Sequence, residues 1–149
     1  MRILVQRVTS SSVSVNDKIV GKSGKGLLLL VGFTQGDSSK EIDYMVDKVI
    51  NLRIFDDENG VMNKSLLDIG GSILSISQFT LYADASKGRR PSYVKALGGD
   101  KSSSLYDEFN QKLKKSGVEV ETGIFGEDMK VLLINDGPVT IILEKEGEN

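Results

Sequence analysis

The stretch GLLLLVGF, residues 26–33, decides the fold of this chain. Its apolar side chains follow one another over the length of a strand, a pattern typical of a central strand that is buried on both faces. Before it, Arg2–Val8 predicts a strand, and Ser12–Val15 and Lys18–Val20 predict a hairpin around a two-residue Asn-Asp turn. The N-terminal part of the chain therefore predicts a sheet with a buried strand inside it.

After the central strand, the hydrophobic period changes to that of an amphipathic helix. Ser38 and Glu41 have the spacing of a capping box, and the apolar stripe that follows predicts a helix over Ser38–Leu52. A second helix is predicted over Lys101–Ser116 and ends at Gly117. The other predicted strands are Arg53–Phe55, Ser72–Phe79, Val118–Thr122, Met129–Asn135 and Val139–Glu144, the last two joined by Asp136-Gly137-Pro138.

The tally of about eight short strands and two main helices predicts an α+β fold with a mostly antiparallel, barrel-like curved sheet. A chain of 149 residues fits one domain, which we expect to cover residues 1–149. No apolar run approaches the ~18 residues that cross a bilayer, and no signal-peptide pattern precedes the first strand. We therefore expect a cytoplasmic protein that does not enter a membrane.

Two residue types are missing from the composition, and their absence limits the chemistry. The chain has no cysteine, which excludes disulfides, thiolate nucleophiles and zinc–cysteine sites. It also has no histidine, which excludes the Ser-His-Asp triad and removes the commonest metal ligand. We expect no metal and no cofactor, so a hydrolase here must use backbone amides, hydroxyls, carboxylates, lysine or groups of its substrate.

The net charge of −2 and the sequence pI near 5.2 argue against a broad, nonspecific nucleic-acid binder, which is usually basic. Any contact with RNA must therefore be local. The best candidate patch consists of Lys87, Arg89, Arg90 and Lys95. The alternative is that these four residues belong to an ordinary solvated loop that binds no RNA. On charge alone, this alternative is the preferred interpretation.

Two segments contain groups that could carry chemistry. A strand that ends in Ser77-Gln78-Phe79-Thr80 places hydroxyls, an amide and backbone N–H groups at a sheet edge, where they can stabilise charge during acyl transfer; a simple strand end is the alternative. The segment 135–140, Asn-Asp-Gly-Pro-Val-Thr, places a proline between two strands, which is unusual. A cis Gly-Pro bond there would expose carbonyl oxygens, whereas the alternative is a plain hairpin turn.

Together, these segments make the chain resemble the D-aminoacyl-tRNA deacylases, formerly called D-tyrosyl-tRNA deacylases. The resemblance runs nearly end to end, with minor departures at Tyr93, where phenylalanine is usual, and at Glu127, where a small residue is common. The matching segments are Met1–Val8, Gly26–Gly32, Ser77–Asp84, Lys87-Gly88, Arg90-Pro91-Ser92 and Asn135–Thr140.

The resemblance implies a homodimer with active sites at the dimer interface, which hydrolyses D-aminoacyl-tRNA, and also glycyl-tRNA mischarged on tRNA-Ala, at the 3′-terminal adenosine. It implies that a cis Gly137–Pro138 peptide reaches into the partner's site, where its carbonyls bind the substrate's amino group and leave no room for an L side chain. It further implies that Ser77, Gln78, Phe79 and Thr80 line the pocket for the adenosine and the ester. Arg7 would hold the Gly-Pro loop, and Met129 would lie near the pocket.

The residues leave two mechanisms open. In one, Thr80 is the nucleophile and takes its base from a neighbour such as Asp84 or Lys87. In the other, Thr80 positions the ester, the substrate's ribose 2′-hydroxyl activates water, and the backbone N–H groups of Phe79 and Thr80 stabilise the oxyanion. The second is favoured because the sequence offers no convincing base for the threonine. Alternative functions are an editing hydrolase for a mischarged L-amino acid and a non-catalytic tRNA-binding dimer.

Overall fold

The central strand of the sheet is the apolar run that the sequence singles out. In the computed structural model, which describes residues 1–147, this strand pairs antiparallel with a 14-residue strand on one side and parallel with a later strand on the other. In chain order the strands are β1 (Arg2–Val15), β2 (Lys18–Ser23), β3 (Gly26–Gly32), β4 (Phe55–Asp56), β5 (Met62–Lys64), β6 (Ser72–Ser77), β7 (Glu119–Thr122) and β8 (Lys130–Glu144). The helices are α1 (Ser39–Asn51), α2 (Leu66–Ile69) and α3 (Gly99–Lys115), and a short 3₁₀ helix covers Phe79–Tyr82.

The main sheet has six strands and is nearly closed into a barrel. Its order is β2-β1-β3-β6-β7, with β8 on the other side of β1. The two ends of this path approach each other, and the backbone N–H of Lys22 in β2 donates to Oε1 of Glu121 in β7 at 3.1 Å. The predicted α+β class with a curved, barrel-like sheet is confirmed. The sheet is mixed, since β3–β6 and β6–β7 are parallel pairs, and such pairs require the long crossovers that contain the helices.

Both faces of β3 are covered, which explains its uninterrupted apolar sequence. Leu27, Leu29 and Val31 belong to the larger core, between the sheet and the helices α1 and α3. Leu28 points the other way, into a smaller core with Val13 and other strand residues. Because successive side chains of a strand alternate between faces, a strand with two buried faces needs apolar residues at every position.

The local signals place most elements correctly. Ser38 caps α1, where its hydroxyl accepts from the N–H of Lys40 and donates to the Glu41 carboxylate. The hairpin turn is confirmed, with both turn residues, Asn16 and Asp17, at positive φ. The strand predicted over Ser72–Phe79 ends at Ser77, since the 3₁₀ helix begins at Phe79.

The prediction of two C-terminal strands joined at Asp136-Gly137-Pro138 is wrong. Both halves of β8 pair antiparallel with β1, so they form one long strand, and a hairpin turn between them is excluded. Val8 pairs with Asn135 and Gln6 with Thr140, so four residues of β8 lie opposite the single residue Arg7. The segment is therefore a large bulge, and the sheet edge tolerates its proline because no strand in the described part of the chain pairs with the outer side of β8 and needs the missing N–H.

Candidate active site

A cavity of about 580 Å³ opens at the carboxyl ends of β3 and β6, within the size range of small-molecule sites. Four of the predicted site residues line it: Ser77, Gln78, Phe79 and Met129. The other lining residues come from the ends of β3 and β6, the loop before α3, the first turn of α3, the loop between β7 and β8 and the start of β8: Val31, Gly32, Phe33, Ile76, Tyr93, Ala96, Leu97, Gly98, Gly99, Ser102, Phe125, Gly126, Glu127, Asp128 and Val131.

Two aromatic rings stand at the cavity and remain accessible. The Phe79 and Tyr93 rings meet edge to face, with centroids 5.3 Å apart and planes at 67°. Phe79 is 54% exposed and Tyr93 is 46% exposed. An apolar ring that is left half in solvent beside a cavity offers a surface on which a flat ligand can stack.

Thr80 lies next to the cavity segment but is not part of the cavity lining. Its hydroxyl accepts from the side-chain amide of Gln78, and an amide cannot act as a base. Asp84, one of the bases considered for Thr80, instead accepts from Ser86, and the hydrogen bonds from the Ser86 hydroxyl and backbone N–H hold the pKa of this carboxyl below its usual value. Among residues 1–147, neither a carboxylate nor an amine is hydrogen-bonded to the Thr80 hydroxyl.

The backbone around Thr80 presents unpaired donors. Phe79 and Thr80 occupy the first positions of the 3₁₀ helix, where N–H groups have no partner within the helix. The preceding residue, Gln78, provides no side-chain cap for them. These two N–H groups therefore remain available to an oxygen of a bound ligand.

The side chain of Arg7 is hydrogen-bonded to the backbone of the β8 bulge. It is a buried residue with 8% of its surface exposed; its Nε donates to the carbonyl oxygen of Asp136 at 2.8 Å, and its Nη1 donates to the carbonyl oxygen of Ile54 at 2.8 Å. The carboxylate of Asp56 lies 3.4 Å from Nη1, and that of Asp136 lies 3.8 Å from Nε. One guanidinium thus ties the bulge to the segment before β4.

Hydrogen bonds among the residues of the bulge and those next to it also stabilise its shape. The Val139 N–H donates to Oδ1 of Asn135 at 2.7 Å, and Nδ2 of Asn135 donates to Oγ1 of Thr140 at 2.9 Å. The Gly137–Pro138 peptide bond is cis, and Gly137 has φ +136. A Cβ at Gly137 would lie 2.9 Å from Cγ2 of Val139 and 3.0 Å from Nη2 of Arg7, so this position requires glycine.

The cavity and the bulge are far apart in one chain. Gly137 and Pro138 do not line the cavity. The bulge lies opposite Arg7, which pairs with Leu27, and Leu27 is four residues from the end of β3 that borders the cavity. The bulge and Ser77 are separated by three strand-to-strand spacings across the sheet, from β8 to β6, and by four residues along the strand direction. These separations place the two segments roughly 15 to 20 Å apart.

One wall of the cavity was not predicted from the sequence. Tyr93, the residues Gly98, Gly99 and Ser102, and the segment Phe125 to Asp128 face the predicted segment across the opening. The Gly98-Gly99 pair at the start of α3 was the one local signal for this wall, and a Cβ at either glycine would meet no atom within 4 Å, so both border open space. The charged side chains in the lining, Glu127 and Asp128, are both acidic.

Neither a metal site nor a membrane span is found in residues 1–147. No cluster of three or more acidic side chains is arranged to hold a metal ion in this part of the chain. None of its helices is both long and apolar enough to cross a membrane.

The family model for D-Tyr-tRNA(Tyr) deacylase matches residues 4–144. Relatives named D-aminoacyl-tRNA deacylase include those of Clostridium botulinum strain Alaska E43 (60% identical over 144 residues, 97% of both chains) and Listeria monocytogenes serotype 4a strain HCC23 (54% over 146 residues, 98% of this chain and 97% of the relative).

Two solved structures have the same fold. A protein described as c-Myc DNA unwinding element binding protein matches with a TM-score of 0.92 and 38% identity, covering 99% of this chain and 100% of that one. A probable eukaryotic D-amino acid tRNA deacylase matches with a TM-score of 0.83 at 20% identity, covering 95% and 97%, and supports the fold alone. From the family match and these identities, the chain belongs to the D-Tyr-tRNA(Tyr) deacylase family.

Proposed function

We propose that this protein hydrolyses the ester bond of D-aminoacyl-tRNA to give free D-amino acid and tRNA, in active sites built from two copies of the chain. The observation that carries the proposal is the position of Ser77, Gln78 and Phe79, which line the cavity in a chain whose relatives are named D-aminoacyl-tRNA deacylases. The proposed activity needs no cofactor and no metal, and it acts in the cytoplasm, where aminoacyl-tRNA is used.

The cavity suits the 3′-terminal adenosine of the tRNA. Its volume of about 580 Å³ is in the range that holds small ligands. The exposed rings of Phe79 and Tyr93 offer the base a stacking surface, and stacking of a base on an aromatic ring is worth about 1–3 kcal/mol. With the base in the cavity, the ester lies near the 3₁₀ helix at Phe79 and Thr80.

The outer face of β8 supports a homodimer. Among residues 1–147, β8 pairs only with β1, so a 15-residue strand leaves one edge open. Its outward side chains include Leu132, Ile134 and Ile142, which are 71%, 59% and 70% exposed. A long apolar edge strand is prone to aggregation unless it is covered, and a second copy related by a two-fold axis would cover it.

A dimer through β8 also brings the Gly137–Pro138 bulge of one copy towards the other copy. Within one chain this bulge is too far from the cavity to contact the substrate, so it can contribute only across the interface. There, we propose, the carbonyl oxygens of Gly137 and Pro138 bind the substrate's amino group. The space left for the side chain then suits a D-amino acid and excludes an L-amino acid, whereas glycine, such as glycine mischarged on tRNA-Ala, has no side chain to exclude.

The chemistry follows from the groups available. The ribose 2′-hydroxyl of the substrate activates a water molecule, whose oxygen forms a bond to the ester carbonyl carbon. The N–H groups of Phe79 and Thr80 stabilise the oxyanion, a contribution of about 3 kcal/mol for each donor. Collapse of the tetrahedral intermediate breaks the bond to the ribose 3′-oxygen, which takes up the proton that the attacking water gives up through the 2′-hydroxyl. Thr80 positions the ester, since its hydroxyl contacts the Gln78 amide and not a base.

The proposal is tested by incubating the purified protein with matched D- and L-tyrosyl-tRNA and measuring the release of free amino acid. We expect release from the D-ester and none above background from the L-ester. An editing hydrolase for a mischarged L-amino acid would release L-amino acid from its tRNA. A non-catalytic dimer would bind tRNA and release neither, and the 38% identity to a DNA unwinding element binding protein makes that second candidate worth the binding measurement.

A further inference from the structure

We propose that the loop of residues 84–95, which we call the basic loop, binds the phosphate backbone of the tRNA acceptor end on the 5′ side of the terminal adenosine. The inference rests on the proposed function, because it states how the same site holds the rest of its substrate. The four cations of the loop are Lys87, Arg89, Arg90 and Lys95.

The cations of the basic loop are free to bind an anion. All four are exposed, and within residues 1–147 none of their side chains takes part in an ion pair or a hydrogen bond. By contrast, the arginines Arg2 and Arg7 pair with carboxylates. The chain carries a net charge of −2, so the remainder without these four cations carries −6. An acidic protein that approaches RNA needs a local site of opposite charge, and unpaired cations provide it.

The basic loop is fixed beside the cavity. Asp84 and Ser92 exchange two backbone hydrogen bonds of 2.8 Å, which close the loop at its base. The Thr34 hydroxyl donates to the Lys95 carbonyl oxygen, and the Leu97 N–H donates to the Phe33 carbonyl oxygen at 2.9 Å, which attaches the loop to the end of β3. A loop held at both ends loses little conformational freedom on binding.

Positive and negative charges are divided between the basic loop and the cavity. Tyr93 belongs to the loop and lines the cavity, so the loop that carries the cations borders the cavity. Inside the cavity the charged lining side chains are the acidic Glu127 and Asp128, which disfavour a phosphate. A nucleotide chain is compatible with both regions when its uncharged base and sugar bind in the cavity. Its preceding phosphates then bind the cations outside the cavity.

The chemistry of the cations fits this ligand. Arginine and lysine are the usual partners of phosphate, through the two-pronged guanidinium and the compact ammonium respectively. The terminal nucleotides of an acceptor end are single-stranded, and each phosphate neutralised on a single strand contributes about −0.7 to the slope of log K against log salt. Loss of three such contacts reduces the magnitude of that slope by about 2.

The experiment compares two triple variants of equal charge. The loop variant carries Lys87→Gln, Arg89→Gln and Arg90→Gln. The control variant carries Lys40→Gln, Lys114→Gln and Lys115→Gln, which are exposed lysines of α1 and α3 with no ion pair among the described residues. The kcat/KM of each is measured between 50 and 200 mM salt on two substrates, D-tyrosyl-tRNA and 3′-O-(D-tyrosyl)adenosine, which has no phosphate.

On D-tyrosyl-tRNA the loop variant is expected to lose about tenfold in kcat/KM at 50 mM salt and to show a salt slope smaller in magnitude by about 2, while the control variant follows the wild type. On the adenosine ester all three proteins are expected to be equal. Equal losses in the loop and control variants on tRNA, or an equal loss of the loop variant on the adenosine ester, would overturn the inference. Failure of the wild type to hydrolyse either D-ester would instead overturn the proposed function.

Discussion

Replacement of Arg7 tests how the bulge of β8 is held, and Arg7→Met removes its charge while keeping a side chain of similar length. The carbonyl oxygens of Asp136 and Ile54 each lose a charged donor at 2.8 Å. A hydrogen bond to a charged group contributes about 1.5–3 kcal/mol. Ile54 is 5% exposed, so water cannot readily replace its donor, whereas Asp136 borders the exposed residues of the bulge and can be hydrated. We therefore expect a loss of about 3 kcal/mol in the free energy of unfolding.

The assay is urea unfolding followed by circular dichroism at one fixed protein concentration, since dimerisation would make the midpoint depend on concentration. With an m-value of about 1–3 kcal/mol per molar urea, the midpoint falls by roughly 1 to 3 M. The matched control is Arg53→Met, which removes an exposed arginine that makes a single hydrogen bond to the Asn63 carbonyl oxygen and should cost less than about 1 kcal/mol. Equal midpoints for the two variants would refute the role assigned to Arg7.

Substitutions elsewhere in the chain test the role of Thr80, the edge of β8 and the buried N-terminus. Thr80→Ala should keep measurable activity on D-tyrosyl-tRNA, while wild-type protein should fail on tRNA ending in 2′-deoxyadenosine; the reverse pattern in a kinetic assay would make Thr80 the nucleophile. Ile134→Lys should convert dimers to monomers in sedimentation measurements, because it places a charge on the apolar edge strand, whereas Val61→Lys at a similarly exposed site should not. Asp37→Asn should cost about 3 kcal/mol of unfolding free energy, because it leaves the buried ammonium of Met1 without its counter-charge, and a loss below about 1 kcal/mol would contradict that pairing.

The elements that the sequence predicts well are those decided by near neighbours in the chain. β3 follows from an uninterrupted apolar run, α1 from the Ser38 cap and its stripe, and the β1–β2 hairpin from its two-residue turn. Each of these signals acts within a few residues, so the sequence alone contains it. The α+β class and the curved sheet follow from the number and kind of such elements.

The features that the sequence did not predict depend on distant pairings. The parallel pairs of β6 are set by how two crossovers pack, which no local pattern encodes. The proline of β8 led to a prediction of two strands, because proline is unusual inside a strand; in the structure the bulge opposite Arg7 and the open outer edge accommodate it.

In the candidate site, too, the residues that a local sequence motif contains were predicted, whereas those that come together only in the fold were not. Ser77, Gln78, Phe79 and Met129 line one cavity and Thr80 lies beside it, while Arg7 contacts the bulge elsewhere on the sheet. The opposite wall, which contains Tyr93, the start of α3 and Phe125–Asp128, was missed because its segments are brought together only by folding. The apolar sequence Val131-Leu132-Leu133-Ile134 did contain a signal for the open edge, since an edge strand with apolar residues on both faces needs a cover on its outer face.

Each active site is proposed to combine the cavity of one chain with the Gly137 bulge of another. Two variants separate these parts: Gly98→Trp fills the cavity at a position where a Cβ meets no atom within 4 Å, and Gly137→Ala displaces the bulge through its contacts with Arg7 and Val139. Each variant alone should be inactive on D-tyrosyl-tRNA.

The decisive measurement is the kcat of the heterodimer of these two variants, co-expressed with different tags and purified through both. In that heterodimer one site has an intact cavity facing an intact bulge, so the account predicts about half of the wild-type kcat per dimer. A heterodimer as inactive as its two parents would contradict the account, because it would mean that cavity and bulge must come from the same chain.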